Sequence, residues 1–409
     1  MYNTLDVRLE AERTPANIVG KAVTGKDFFG RKAELEELTR AVRAQHVLML
    51  APRRVGKTSL MLALADHERG AGHLVPVYAS VAAAASEGDF VRTVLDAAYD
   101  TPEGAAVRPG WFESWRQRRK FRIKKVEAVG AALELEPLEH PWQALADEAF
   151  RKLATSKRPW LLLIDELPNL VLTLAEQDPS GVRVRAFLHW FRTVRQHPVL
   201  GERLRFVLAG SIGLDAVAHR YQASAAINDL LDWRLGPFEP GLAEDFVTRL
   251  AESQGMLLLP GIAQHVLAET EWLIPFHLQV LLSELVRTKR SLNPTHEDVE
   301  AAVEATLAHK LYFATWVERL REVFGVADAD IARRVLTACA QDPQGASAST
   351  LQAVLSRSLA DERERGDKQR WLMDVLENDG YLVSIPAHAP ERWRFRSALL
   401  RRYWQRRFA

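Results

Sequence analysis

The stretch APRRVGKTSL at 51–60 constrains this chain more than any other ten residues. It follows a compact apolar run, HVLMLA at 46–51, and opens an amphipathic segment at 57–68. A strand, a tight loop and a helix in that order give a Gly-Lys-Thr triplet its meaning. Gly56 lets the backbone curl so that successive N–H groups face one point, and the helix N-terminus adds a fixed positive dipole. Lys57 contributes a mobile full charge, and Thr58 a hydroxyl for a divalent cation. The loop Ala51, Pro52, Arg53, Arg54, Val55, Gly56, Lys57, Thr58 and Ser59 therefore reads as a phosphate cradle. Ala51 stands where glycine is commoner, and its methyl group removes no ligand.

A second element is expected about a hundred residues on. WLLLIDE at 160–166 is an apolar strand ending in two acids. Asp165 would hold Mg²⁺ together with Thr58, and Glu166 would orient and polarise an attacking water. RFVLAGSIGL at 205–214 is a further strand, after which Ser211 either binds a terminal phosphate or its attacking water, or is an ordinary turn serine. Catalytic weight is thus placed on Lys57, Asp165, Glu166 and Ser211, with Glu176 and Asp178 in reserve should Glu166 not be the acid.

The rest of the chain supplies the frame. Residues 46–51, 74–80, 160–165 and 204–210 are short apolar runs that suit strands buried on both faces of a parallel sheet. Amphipathic stretches at 31–44, 57–68, 88–100, 142–156 and 182–196 lie between them, which is the alternation of an α/β fold. From about 240 to 326 the text is helical only. After 327 come three helical segments, an NDG turn at 378–380, two short strands and a last helix, the ingredients of a winged helix-turn-helix. The expected organisation is an N-terminal extension at 1–27, a core at 28–239, a helical lid and connecting helix at 240–326, and a winged helix at 327–409.

FFGRKAELEEL at 28–38, PRRVGKTSL, the LLLIDE strand and VLAGSIGL, taken in order, resemble the archaeal-type ATPases of the signal-transduction (STAND) class, relatives of the AAA+ ATPases. The resemblance covers most of 25–409. It implies a P-loop NTPase core with a lid and a C-terminal winged helix, with ATP and Mg²⁺ as cofactors. It implies that Phe29, Gly30 and Arg31 line the adenine side. It also makes Pro275, in WLIPFHLQ, the proline of the lid's GxP motif, although Leu273 stands at the glycine position. AAA+ proteins often project an arginine finger from the region of 182–196, which here carries Arg183, Arg185, Arg192 and Arg195. Arg192 and Arg195 are the candidates, and a solvated helix face is the alternative.

Composition limits partners. The 409 residues are 47% hydrophobic and 26% charged with a net charge of +1, so binding of nucleic acid would need local clustering. Two clusters exist. WRQRRKFRIKKVE lies in an apparent insertion at about 111–138, hairpin-like over 118–136, and carries Arg118, Arg119, Lys120, Arg122 and Lys124. These would track a phosphate backbone or guard an exposed strand edge. The tail RWRFRSALLRRYWQRRFA carries Arg401, Arg402 and Arg406 among Trp393, Phe395, Tyr403 and Trp404. The arginines would contact DNA or dock the module, and the aromatics would stack on bases or fill its core. The single cysteine, Cys339, forms no internal disulfide and sits in an apolar helical stretch, as in a cytoplasmic protein. No apolar run is long enough to span a bilayer.

The expected function is a slowly hydrolysing, ATP-operated regulatory switch that engages double-stranded DNA or a protein partner, or self-associates, through lid and winged-helix movement. Alternatives are a DNA-loading or remodelling ATPase resembling the origin-recognition initiators, and a structural ATP-binding module.

Overall fold

The structure is a computed structural model, described over residues 14–116, 142–210, 213–289, 291–385 and 391–408. The core is a five-stranded sheet in the order β2-β3-β4-β1-β5. Its strands are β1 (Val47–Leu50), β2 (Val75–Ser80), β3 (Trp160–Asp165), β4 (Leu204–Ala209) and β5 (Leu231–Arg234). All four strand pairs are parallel, with Val47 opposite Val207, Leu162 opposite Phe206 and Ser80 opposite Asp165. Trp160–Asp165 is buried along its whole length, which is why an unbroken apolar run is stable there.

The four apolar strands lie where the sequence suggests. The fifth, β5, was not anticipated: only Trp233 of LDWR is buried, so this edge strand lacks the apolar signature. Helices at Lys32–Ala44, Lys57–Ala71, Glu87–Tyr99, Trp142–Ala154, Leu167–Gln177 and Val182–Gln196 cover the sheet. Residues 111–116 are helical and bury Phe112 against Tyr99, so the start of the supposed insertion is part of the core packing. The hairpin expected over 118–136 lies outside the described residues.

The lid is four helices: Pro240–Ser253, Ile262–Thr270, Pro275–Thr288 and His296–Ala308. Thr295 opens the last with a reciprocal capping box to Asp298. Helix Lys310–Gln341 then runs from the lid into the winged module and is interrupted at Gly325, whose left-handed φ of 72° breaks the helical path. Beyond it lie helices Ala348–Ser356 and Glu362–Asn378, strands β6 (Ala346–Ser347), β7 (Leu382–Ile385) and β8 (Arg392–Phe395), and a final helix Ala398–Phe408. The wing sheet has three antiparallel strands in the order β6-β8-β7, one more than the sequence suggests, because β6 has only two residues. Trp393, Phe395, Tyr403 and Trp404 are buried in this module's core, which closes off the stacking role. Cys339 is buried too. Among the described residues, no helix is long and apolar enough to cross a membrane.

Candidate functional site

The loop between β1 and helix Lys57–Ala71 turns through two left-handed residues, Arg54 (φ 67°) and Gly56 (φ 104°). The helix that follows has no side-chain N-cap, so its first amides are left for an anion. Lys57 is buried, and Nζ donates to Ala51 O at 2.8 Å and Pro52 O at 2.9 Å. Burial lowers its pKa to about 8, against the raising effect of Glu166 and Asp165.

Asp165, at the end of β3, gathers three donors. Thr58 Oγ1 donates to Oδ2 at 2.8 Å, Tyr78 Oη to the same oxygen at 2.9 Å, and the Glu166 amide to Oδ1 at 3.0 Å. A hydroxyl and a carboxylate oxygen side by side are hard donors of the kind Mg²⁺ takes when phosphates supply the remaining contacts, so the residues present fit that ion. Tyr78 was not anticipated. It lies on β2, one strand over, and its hydroxyl is held neutral by burial and by Asp165. Glu166 adopts a left-handed backbone (φ 61°), which swings its side chain out of the strand and into the cleft at the loop.

That cleft is lined by Phe28, Phe29, Arg31, Arg53–Ser59, Glu166, Phe238, Phe246, Pro275 and Phe276, among others. Phe29 lies 5.2 Å from Phe246, and Phe246 lies 5.3 Å from Phe238, centroid to centroid. The result is an aromatic sleeve suited to a planar base. Arg31 lines the cleft but its guanidinium has structural work. It donates to Gly236 O at 2.8 Å, pairs with Glu34 and lies 4.4 Å over the Phe238 ring. Gly30 is left-handed, and a Cβ there would fall 2.9 Å from Leu242. Pro275 opens its lid helix beside Phe276, whose ring lies 4.1 Å under Arg54.

Residues 16–23 of the N-terminal extension were given no role by sequence, yet they strap this cleft. Asn17 Nδ2 donates to Gln279 O and Ser283 Oγ on the lid, and the Val23 amide donates to Ser59 Oγ at 3.0 Å. Nothing in the local text signals a bond spanning 262 residues.

The connecting helix and the winged module also meet this loop. Arg53 Nη1 donates to Thr315 O at 3.2 Å. Gly380, of the NDG turn, has no room for a side chain: a Cβ would lie 2.7 Å from Pro52 and 2.5 Å from Trp272. Asp379 beside it pairs with Arg319 in a buried bridge.

The finger candidates are engaged within the core. Arg195 is buried in a bidentate pair with Asp229, and Arg192, half-buried, bonds to Ala225 O. Arg402 pairs with Glu269 and Glu304, and Arg406 with Glu304, which ties the last helix to the lid. Arg401 is partly exposed. Ser211, Arg118, Arg119, Lys120, Arg122 and Lys124 lie outside the described residues. Glu176 and Asp178, held in reserve, do not line the cleft.

No protein-family model and no curated protein matches the chain. Among solved structures, a Walker-type ATPase of Pyrococcus abyssi superposes with a TM-score of 0.63 at 16% identity, over 95% of this chain and 99% of that one. The ORC2 protein of Aeropyrum pernix gives 0.43 at 13% identity over 96% and 98%. The RuvB branch migration motor of Thermotoga maritima gives 0.44 at 12% over 89% and 92%. The last two overlap too loosely to bear on this chain. The first, with the sheet order and the loop geometry, establishes that the chain has a P-loop NTPase fold carrying a helical lid and a C-terminal winged helix.

Proposed function

We propose that the chain binds ATP with Mg²⁺ and hydrolyses it slowly as a regulatory switch. The observation that carries this reading is the convergence on one loop of the phosphate-binding backbone, the Thr58–Asp165 pair, Glu166 and the winged module's 378–380 turn. Bound Mg²⁺ would supply charge neutralisation for the phosphates. The chain's own residues do the rest. Thr58 and Asp165 hold the ion, with Tyr78 fixing the carboxylate. Lys57 leaves its loop carbonyls for phosphate oxygens. Glu166 holds and polarises a water. The aromatic sleeve with Phe29 and the lid residue Pro275 encloses the base, so lid position depends on occupancy.

The winged helix sits on both the loop and the lid, so a change at either is felt by the module. Arg402 and Arg406 are neutralised by Glu269 and Glu304 in this conformation, so DNA or an acidic protein surface would meet them only after undocking.

The test is Glu166→Gln. It should leave ATP affinity within about twofold and lower kcat by about 10²-fold or more. Wild-type turnover in that variant would place the catalytic acid elsewhere.

A further inference from the structure

We propose that Tyr78 is a positioning residue that makes Asp165 a single-oxygen ligand, and so makes this site favour Mg²⁺ over the larger Ca²⁺. The inference rests on the nucleotide-site reading above and adds to it the choice of ion.

Tyr78 reaches Asp165 from the neighbouring strand. In the register of β2 with β3, Ser80 stands opposite Asp165 and Tyr78 opposite Leu163. Side chains alternate between the two faces of a strand, so Tyr78 shares a face with Ser80, and through it with Asp165. β2 is an edge strand, and Tyr78 is half-buried on it. Its hydroxyl ends 2.9 Å from Asp165 Oδ2.

An ionised carboxylate has about four acceptor positions, shared equally between its oxygens. On Oδ2 both are filled: Thr58 Oγ1 donates at 2.8 Å and Tyr78 Oη at 2.9 Å. On Oδ1 the Glu166 amide fills one, at 3.0 Å. Among the described residues nothing else donates to Asp165. What is left for an ion, or for a water on it, is the remaining position on Oδ1. Thr58 belongs to the ion site itself, because its hydroxyl oxygen is the other hard donor. Tyr78 stands outside the cleft and serves the carboxylate alone. Burial and the charge of Asp165 keep its hydroxyl protonated, so it stays a donor.

The two ions ask different things of a carboxylate. Ca²⁺ takes about 6–8 oxygens in flexible geometry and readily binds a carboxylate through both of its oxygens. Mg²⁺ demands a near-ideal octahedron at about 2.0–2.1 Å, which the narrow bite of a chelating carboxylate does not fit. With Oδ2 closed by two donors, Asp165 has no second oxygen to give. Removing the phenol hydroxyl opens a position on Oδ2 and frees the carboxylate to turn. Mg²⁺ then loses a fixed ligand, and Ca²⁺ gains a chelating one. Outer partners of this kind change metal affinity by about 10–100-fold.

The experiment is melting of the full chain with ATPγS, titrated with MgCl₂ and separately with CaCl₂. The proteins compared are the wild type, Tyr78→Phe and Tyr99→Phe. The quantity read is the ion concentration that gives half of the nucleotide-dependent rise in melting temperature. Each protein is measured against its own ion-free melting, so a general loss of stability does not imitate the result. The wild type should respond at lower Mg²⁺ than Ca²⁺. In Tyr78→Phe the Mg²⁺ half-point should rise by about tenfold while that for Ca²⁺ stays or falls. Stabilisation by ATPγS in EDTA should stay within about twofold of the wild type in apparent affinity, because the phosphate loop is untouched. Tyr99→Phe removes a buried hydroxyl that has no hydrogen-bond partner, and both half-points should stay at wild-type values. An unchanged ratio of Mg²⁺ to Ca²⁺ half-points in Tyr78→Phe overturns the proposal. So does an equal weakening for both ions, which marks Tyr78 as a structural support, and so does a wild type that prefers Ca²⁺. Failure of the site reading has a different signature: the wild type would then show no ion-dependent stabilisation by ATPγS, and Lys57→Ala would match it.

Discussion

The winged module touches the rest of the molecule on two sides, and the two are built differently. At the outer edge of the lid, the bonds are exposed or half-exposed ion pairs: Arg402 with Glu269 and Glu304, Arg406 with Glu304, and Arg394 with Glu271. Deeper in, where the module meets the connecting helix beside the phosphate loop, lie the buried pair of Arg319 with Asp379 and the buried contact of His277 with Ser397, beside Gly380 on Pro52 and the buried rings of Trp272, Trp316 and Tyr381. Exposed pairs are each worth about 0–1 kcal/mol and fade with salt, whereas breaking one member of a buried pair costs about 3–5 kcal/mol. One face is therefore soft and adjustable, and the other is held or released as a unit.

The largest effect should come from breaking the hard side. Asp379→Ala leaves Arg319 buried without its carboxylate, and unfolding in urea should show a loss of about 3–5 kcal/mol. A loss below about 1 kcal/mol would mean that the two faces are equivalent.

A middle-sized effect should come from His277, which links the lid to the module. It is fully buried among Trp272, Phe276, Phe313 and Trp316, and its Nδ1 meets Ser397 Oγ at 3.2 Å. Burial lowers its pKa to about 3. The folded value lies below the unfolded one near 6.5, so its contribution is present above 6.5 and is lost as pH falls toward 3, by up to about 1.4 kcal/mol per pH unit. His46, also lowered by burial, to about 4, adds a parallel loss and sets the background. Comparing stability at pH 7.5 and pH 5, His277→Leu should lose about 2 kcal/mol less than the wild type. Identical acid losses would show that His277 is not held neutral.

The smallest effect should come from the soft side. Glu304→Gln removes a carboxylate that Arg406 and Arg402 hold below the usual range. It should cost no more than about 1 kcal/mol at low salt, and the difference should vanish in about 1 M salt, where the Debye length is near 3 Å. A loss that survives salt would make this face as firm as the other.

These contrasts mark the limit of what the sequence discloses. The loop at 51–60, the Asp165–Glu166 pair and the four apolar strands are legible because each is a local pattern with its own chemistry. The edge strand β5 is not, since a strand buried on one residue has no apolar run. The aromatic sleeve assembles Phe29, which the FFGR box marks, with Phe238 and Phe246, more than 200 residues on, and nothing around Phe238 and Phe246 sets them apart from core residues. The arginine clusters were noticed for their density, and the structure finds Arg402 and Arg406 ion-paired to the lid. The buried arginine of this interface, Arg319, stands in ordinary helical text, and its partner Asp379 lies 60 residues away in a turn recognised only for its shape. Density is visible in a sequence, whereas burial at an interface between modules is not.

The central claim is that the loop at 51–60 is a working nucleotide site, and Lys57 tests it most directly. Melting of the wild type and of Lys57→Ala should be followed with increasing Mg-ATP. The account predicts that the wild type is stabilised as RT ln(1 + [L]/Kd), about 2.7 kcal/mol at a hundredfold excess over Kd, and that Lys57→Ala loses most of this. Equal stabilisation of the two proteins by Mg-ATP would contradict it.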